Sequence, residues 1–185
     1  MIKRILVLAL TFIAFGSVGT RAADSINIGD VKFTGIKSIQ VVDGAIRRAI
    51  INVEISNSSG SEIRIFGDGQ YSFKFKKDEA KPILLPNAMA KEVVLPKGSM
   101  MSAGKGIMSF EVVLGEASEV TTREVLIPLF NLMSSASEEK NVGKLQIEIE
   151  GNVNFGVRSG SAIVKETRNI LWPLTPKVNP MVFAN

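Results

Sequence analysis

The sequence predicts an all-β protein, an antiparallel sandwich with one short helix, on three observations. Apolar and polar residues alternate with a period of two in Ile51–Ile55, Tyr71–Phe75, Met108–Leu114 and Leu145–Ile149. Clusters of glycine, asparagine, serine and proline punctuate the chain between those runs. Only residues 116–136 carry apolar side chains at helix-like spacing. Period-two runs with one apolar face are half-buried antiparallel strands, and about seven to nine of them with frequent turns make a sandwich.

Val31-Lys32-Phe33 opens the domain, and Gly35 interrupts before a strand from Ile36 to Val42. Asp43-Gly44 then predicts a hairpin, since both central positions of a type I′ turn favour positive φ. In the returning strand, Ala45 to Asn57, residues Ile51, Val53 and Ile55 face one way and Asn52, Glu54 and Ser56 the other. Asn57-Ser58-Ser59-Gly60-Ser61 is a turn, and Ile63 and Ile65 carry the next short strand. Gly67-Asp68-Gly69 turns into Tyr71, Phe73 and Phe75, which alternate with Ser72, Lys74 and Lys76. Pro82 and Pro86 bracket Ile83-Leu84-Leu85, and Val93-Val94-Leu95 ends at Pro96-Lys97-Gly98. Prolines suit strand edges and turns because the ring removes a ladder donor. Met108, Phe110, Val112 and Leu114 form another one-sided strand.

Pro128 interrupts the helix-like stretch, which predicts strand or loop to Ile127 and a short helix from there to about Ser135. Sheet returns at Leu145, Ile147 and Ile149 and continues through Val153 and Phe155 to a hairpin near Ser159-Gly160. A last strand runs from Ala162 to about Leu171, and Trp172-Pro173 closes the domain. The organisation expected is a cleaved segment 1–22, one domain over 23–175, and a loose tail over 176–185.

The cleaved segment is a secretory signal peptide. Lys3 and Arg4 precede an apolar run from Ile5 to Phe15, followed by the small-x-small site Thr20-Arg21-Ala22. The run is shorter than the ~20 apolar residues a membrane helix needs. Removing it leaves 19 Lys and Arg against 18 Asp and Glu, so the mature charge is close to neutral. The densest basic stretch, Lys74 to Lys77, is followed at once by Asp78 and Glu79, so no nucleic-acid surface is expected. After cleavage no transmembrane helix is expected either. The location expected is a bacterial periplasm, soluble or peripheral to the envelope.

Histidine and cysteine are both absent. That removes the commonest neutral-pH general base, the thiolate nucleophile, and the usual zinc, copper and iron–sulfur ligands. Carboxylates, Ser/Lys dyads and oxygen-bound cations remain. Glu148 and Glu150 share a strand face about 7 Å apart, but on the polar side of a regular strand they read as solvated. Calcium takes about six to eight oxygen ligands, and the five aspartates, Asp68 among them, are scattered. Gly104-Lys105-Gly106 lacks the longer phosphate-binding loop and reads as a turn. Tyr71, Phe73 and Phe75 could form a ligand strip but read as core; Met100, Met101 and Met108 read as core and loop filler. No catalytic, cofactor or metal residue is expected.

The order of these pieces resembles the late embryogenesis abundant type 2 family, the water-stress and hypersensitive-response domain. The matching stretches are Ile50 to Asn57, Gln70 to Phe75, Leu95 to Gly98, Ile107 to Leu114 and Ile147 to Val153, spanning roughly Ile36 to Pro173. Asn57-Ser58-Ser59 stands where the family has Asn-Pro-Asn. The resemblance implies an immunoglobulin/fibronectin type III-like sandwich and a non-enzymatic role, loosely linked to stress protection or envelope interactions.

Function is then expected to lie in surface contacts, with a periplasmic lipid- or glycan-binding protein as the alternative. The segment from Lys81 to Leu95 is a plausible sheet edge. Ile83, Leu84 and Leu85 would be a contact patch for an envelope protein or a second copy if exposed, and ordinary core if buried.

Overall fold

The computed structural model describes residues 30–77, 81–99, 101–137, 145–159, 162–176 and 182–184. The expected signal peptide lies outside the described residues. Within them stand strands β1 (Val31–Val42), β2 (Ile46–Asn57), β3 (Ile63–Ile65), β4 (Gln70–Lys77) and β5 (Ile83–Ala90). Then come β6 (Val93–Leu95), β7 (Gly104–Glu116), β8 (Leu145–Ser159), β9 (Ala162–Pro176) and β10 (Val182–Ala184). A single helical segment falls between β7 and β8: α1 (Glu119–Thr121), a π-helical turn (Thr122–Leu126) and α2 (Ile127–Ser137).

The strands form the expected all-β antiparallel sandwich. In one layer β2 runs antiparallel to β1 on one side and to β7 on the other, from Ile46 opposite Glu116 to Asn57 opposite Gly104. In the second layer β8 is central, with β9 along one flank from Ile147 to Ser159. The other flank of β8 is shared by β4, opposite Leu145–Asn152, and β3, opposite Phe155–Val157. Two strands stitch the layers together. β5 pairs with β4 at Ile83–Ala88 and with β7 at Met89 and Ala90. β9 reaches β1 at Thr175 and Pro176.

Alternation along the strands sets the interior. Ile51, Val53 and Ile55 of β2, Phe73 and Phe75 of β4, Met108, Phe110 and Val112 of β7, and Ile147 and Ile149 of β8 are all buried. Rings join the layers: Phe110 of β7 meets Tyr71 and Phe73 of β4 edge-on, at centroid distances of 4.9 and 5.1 Å. Edge-to-face contacts place the positive ring edge on the negative face, adding to the burial of both rings.

Several local expectations are corrected. Gly44 does not adopt positive φ, so Asp43-Gly44 is no type I′ turn. Pairing between β1 and β2 ends at Val42 opposite Arg48, while β2 continues against β7 through Arg47 and Ile46. Positive φ falls instead at Gly115, +116°, where an extra residue, Leu114, bulges opposite Arg47 and Arg48. Gly104-Lys105-Gly106 is not a turn but the start of β7, paired with Asn57, Ser56 and Ile55.

The helical segment begins nine residues before Pro128, not at it. Ser118 caps it, its Oγ accepting from the Thr121 N–H. An α-helical Pro128 ring would strike the carbonyl four residues back; the π turn shifts that stretch, with the Ile127 N–H donating to the Thr122 carbonyl. Of the expected tail over 176–185, Pro176 and residues 182–184 are described. β9 continues to Pro176, and residues 182–184 lie parallel to β1 at Gln40–Val42, where the outer margin of β1 offers unpaired backbone groups.

Candidate functional site

Ile83, Leu84 and Leu85 divide as the strand's alternation requires. Leu85 is 3% exposed and packs in the core, Leu84 is 63% exposed, and Ile83 is half-buried against the core. Among the described pairings, these three residues pair only with β4, as Leu85 opposite Phe73, Leu84 opposite Lys74 and Ile83 opposite Phe75. Their other margin is therefore a sheet edge, closed by prolines at 82 and 86. The expected core-or-patch alternative resolves by side chain: one leucine is core and its neighbour is surface.

Asn57 organises the end of the sandwich nearest the 58–61 turn. It is fully buried. Its Nδ2 donates to the carbonyls of Ser61 (2.8 Å) and Pro96 (2.9 Å), and its Oδ1 accepts from the Ser59 N–H and Ser59 Oγ. The side chain thus closes the turn through its amide, as expected of asparagine there. Both amide hydrogens are committed. Gly104 packs beneath the same turn, where a Cβ would lie 2.0 Å from the Pro96 carbonyl oxygen.

Concavities open on the surface among the described residues. A cleft of about 290 Å³ lies between the β1–β2 connection and the helical segment, lined by Val41, Leu126, Ile127 and Phe130. Arg47 stands at its rim, donating from Nε to Asp43 Oδ1 at 2.9 Å and from Nη1 to Thr122 Oγ1. The guanidinium and the Gly44 N–H hold the Asp43 carboxyl below its ordinary range. Arg47 is thereby used to pin the helical segment to β2. A wider depression of about 670 Å³ lies over Thr34, Glu54 and Lys105 on the outer face of the first layer.

The third, about 450 Å³, lies on the outer face of the second layer and is mainly polar, with Pro86 and Ile170 among its lining. Strand register builds it. Gln70 of β4, Asn152 of β8 and Asn169 of β9 stand in one cross-strand row, and Ser72 and Glu150 in the next. The wall is Pro86-Asn87, where β5 carries an extra residue between Leu85 opposite Phe73 and Ala88 opposite Tyr71. Asn87 takes φ of 55°, a left-handed conformation that few residues other than glycine and asparagine enter.

The rows on either side are satisfied internally. On one, Lys74 pairs with Glu148 at 3.4 Å. On the other, Asp68 accepts from Asn154 Nδ2 at 2.8 Å and Lys165 Nζ at 2.6 Å, and Thr167 donates to Asn154 Oδ1. Those donors hold the Asp68 carboxyl below its ordinary range. Glu148 and Asp68 therefore have structural duties on the sheet face. In contrast, Gln70, Ser72, Asn87, Glu150, Asn152 and Asn169 make no side-chain hydrogen bond or ion pair among the described residues. These amides do not stand out in the sequence, because polar positions of a strand look alike until the register shows which ones share a row.

Tyr71, Phe73 and Phe75 are buried, with Met108 beside them in the core, while Met101 is fully exposed and Met100 lies outside the described residues. No group of three or more Asp or Glu that could hold a metal occurs among the described residues. No helix there is long and apolar enough to cross a membrane.

No protein-family model matches this chain, and no curated protein does either. Among solved structures it is similar to a crystal structure of a protein from Archaeoglobus fulgidus, 11% identical over 77% of this chain and 98% of that one, with a TM-score of 0.26. It is also similar to the solution structure of a protein from Arabidopsis thaliana, 14% identical over 80% of this chain and 79% of that one, with a TM-score of 0.22.

Proposed function

We propose that this chain is an exported, non-enzymatic module of a bacterial envelope that acts through surface contacts. The observation that carries the reading is Leu84, a large apolar side chain 63% exposed on a sheet margin with unpaired backbone groups. An extended segment of an envelope protein can add to such a margin, its backbone completing the ladder and an apolar side chain covering Leu84. A chain lacking histidine and cysteine supports the non-enzymatic part. The resemblance to the late embryogenesis abundant type 2 family, carried by Ile50–Asn57, Gln70–Phe75 and Ile147–Val153, supports a stress-protective setting for the same contacts.

A photo-crosslinking amino acid at position 84, introduced in the native host, tests the docking. The expected result is a discrete adduct with one envelope protein. An adduct only with a second copy would redirect the reading to self-association, and no adduct would overturn it.

The alternative, a lipid- or glycan-binding protein, has one observation on its side in its glycan form. The polar cleft over Ser72, Glu150 and Asn152 concentrates hydrogen-bonding side chains that the fold itself does not use.

A further inference from the structure

The geometry points to a binding site for a neutral saccharide in the cleft formed by Gln70, Ser72, Asn87, Glu150, Asn152 and Asn169. This deepens the glycan reading and is independent of the docking edge at Leu84.

The chemistry of the lining selects the ligand class. Each of the four amides offers both donors and an acceptor, Ser72 offers both through one oxygen, and Glu150 offers acceptors alone. A sugar hydroxyl is likewise donor and acceptor, so adjacent hydroxyls can meet an amide and a carboxylate together. Glu150 is the one charged residue in the lining, and no cation balances it there. Phosphate, sulfate and acidic sugars are disfavoured by that carboxylate, as is a nucleic-acid backbone. An extended peptide is disfavoured for a different reason. β8, at the centre of the floor, is paired on both sides across these rows, so its backbone groups are not open to another chain.

The cleft's position on the sheet also argues for a built site. Internally bonded rows flank it on both sides, so the unused polar groups lie between two rows that satisfy themselves. The extra residue in β5 raises Asn87 beside those groups, and does so through a left-handed backbone.

The test is capture of the purified protein on an array of defined neutral and acidic oligosaccharides. Wild type should be captured by at least one neutral oligosaccharide. Asn152→Ala with Asn169→Ala should weaken that capture about tenfold, as expected from losing two or more hydrogen bonds of ordinary strength. Asn87→Gly keeps the left-handed backbone accessible while deleting the amide, and should weaken capture several-fold with an unchanged melting midpoint. If the double variant unfolds, Glu150→Gln supplies the same comparison with the side-chain shape retained. The assignment is overturned if wild type captures no neutral oligosaccharide, if it captures only acidic ones, or if the folded variants bind as wild type does. Leu84→Glu should leave capture unchanged, so failure here leaves the docking edge standing, and the reverse.

Discussion

Phe110 of β7 and Phe73 of β4 meet edge-on across the sandwich, their centroids 5.1 Å apart and their planes at 81°. Both side chains are fully buried, and each belongs to a different layer. Replacing either by Ala should cost ~3–5 kcal/mol, because it removes a large apolar surface and leaves a cavity that strands on both sides hold open. The double variant should cost less than the two single changes together, by about 0.5–1.5 kcal/mol for the ring contact. Urea denaturation of the four proteins measures both quantities. Unchanged midpoints in the single variants would place these rings outside the core.

Tyr71 is the chain's only tyrosine, and its hydroxyl is buried without a hydrogen-bond partner among the described residues. Burial, with a smaller contribution from the Asp68 charge, pushes its pKa well above the ordinary 10.0. Above pH ~10 the unfolded chain releases the phenolic proton while the folded chain keeps it, so the unfolded state binds fewer protons. Stability should therefore fall as pH rises beyond that point, by up to about 1.4 kcal/mol per pH unit. Tyrosinate absorbance should appear together with loss of the fold, not before it. Tyr71→Phe should remove this share of the alkaline slope and should not destabilise the protein at neutral pH, since no bond is lost. Tyrosinate forming in the intact fold near pH 10 would contradict the burial.

Asn57 should be the most sensitive polar position. Asn57→Ala strips the Ser61 and Pro96 carbonyls and the Ser59 N–H of their shared partner. Unsatisfied groups cost about 1–3 kcal/mol each when fully buried; Ser59 and Ser61 are part-buried and Pro96 is exposed, so a total loss of about 2 kcal/mol is expected. Asn57→Asp should be worse than a near-isosteric change suggests, because an acceptor then faces the two carbonyls. Thermal melts of both variants check the order.

Export makes a separate prediction. Protein recovered from its native host should begin at or near Ala23, given the Lys3-Arg4 end, the apolar run from Ile5 and the Thr20-Arg21-Ala22 site. Intact mass spectrometry decides it, and a retained Met1 would exclude processing.

Strand positions were legible in the sequence because burial enforces period two, as at Ile51–Ile55 and Tyr71–Phe75. What was not legible depends on pairing between distant strands. Gly104 looked like a turn residue because glycine permits turns, yet it is needed small to pass the Pro96 carbonyl. Pro128 suggested a helix start, while a π turn let the helix begin earlier. The polar cleft required knowing that Gln70, Asn152 and Asn169 share one row, and cross-strand register is invisible to a reading of local pattern.

Leu84 and Leu85 are adjacent and chemically identical, so they make an internal control for the edge. Leu85 lies inward opposite Phe73, and Leu84 lies outward opposite Lys74. Leu85→Ala should cost about 2–5 kcal/mol through lost burial and a cavity, whereas Leu84→Ala should stay within about 0.5 kcal/mol of wild type. Leu84→Glu should also fold, since its carboxylate can reach water and stands across from the Lys74 ammonium. Chemical denaturation separates these outcomes, and sedimentation or crosslinking of the same variants reads association. Lost association with an unchanged midpoint for Leu84→Glu assigns the margin to docking. A midpoint that drops as far for Leu84→Ala as for Leu85→Ala would return both leucines to the core and remove the edge as a contact site.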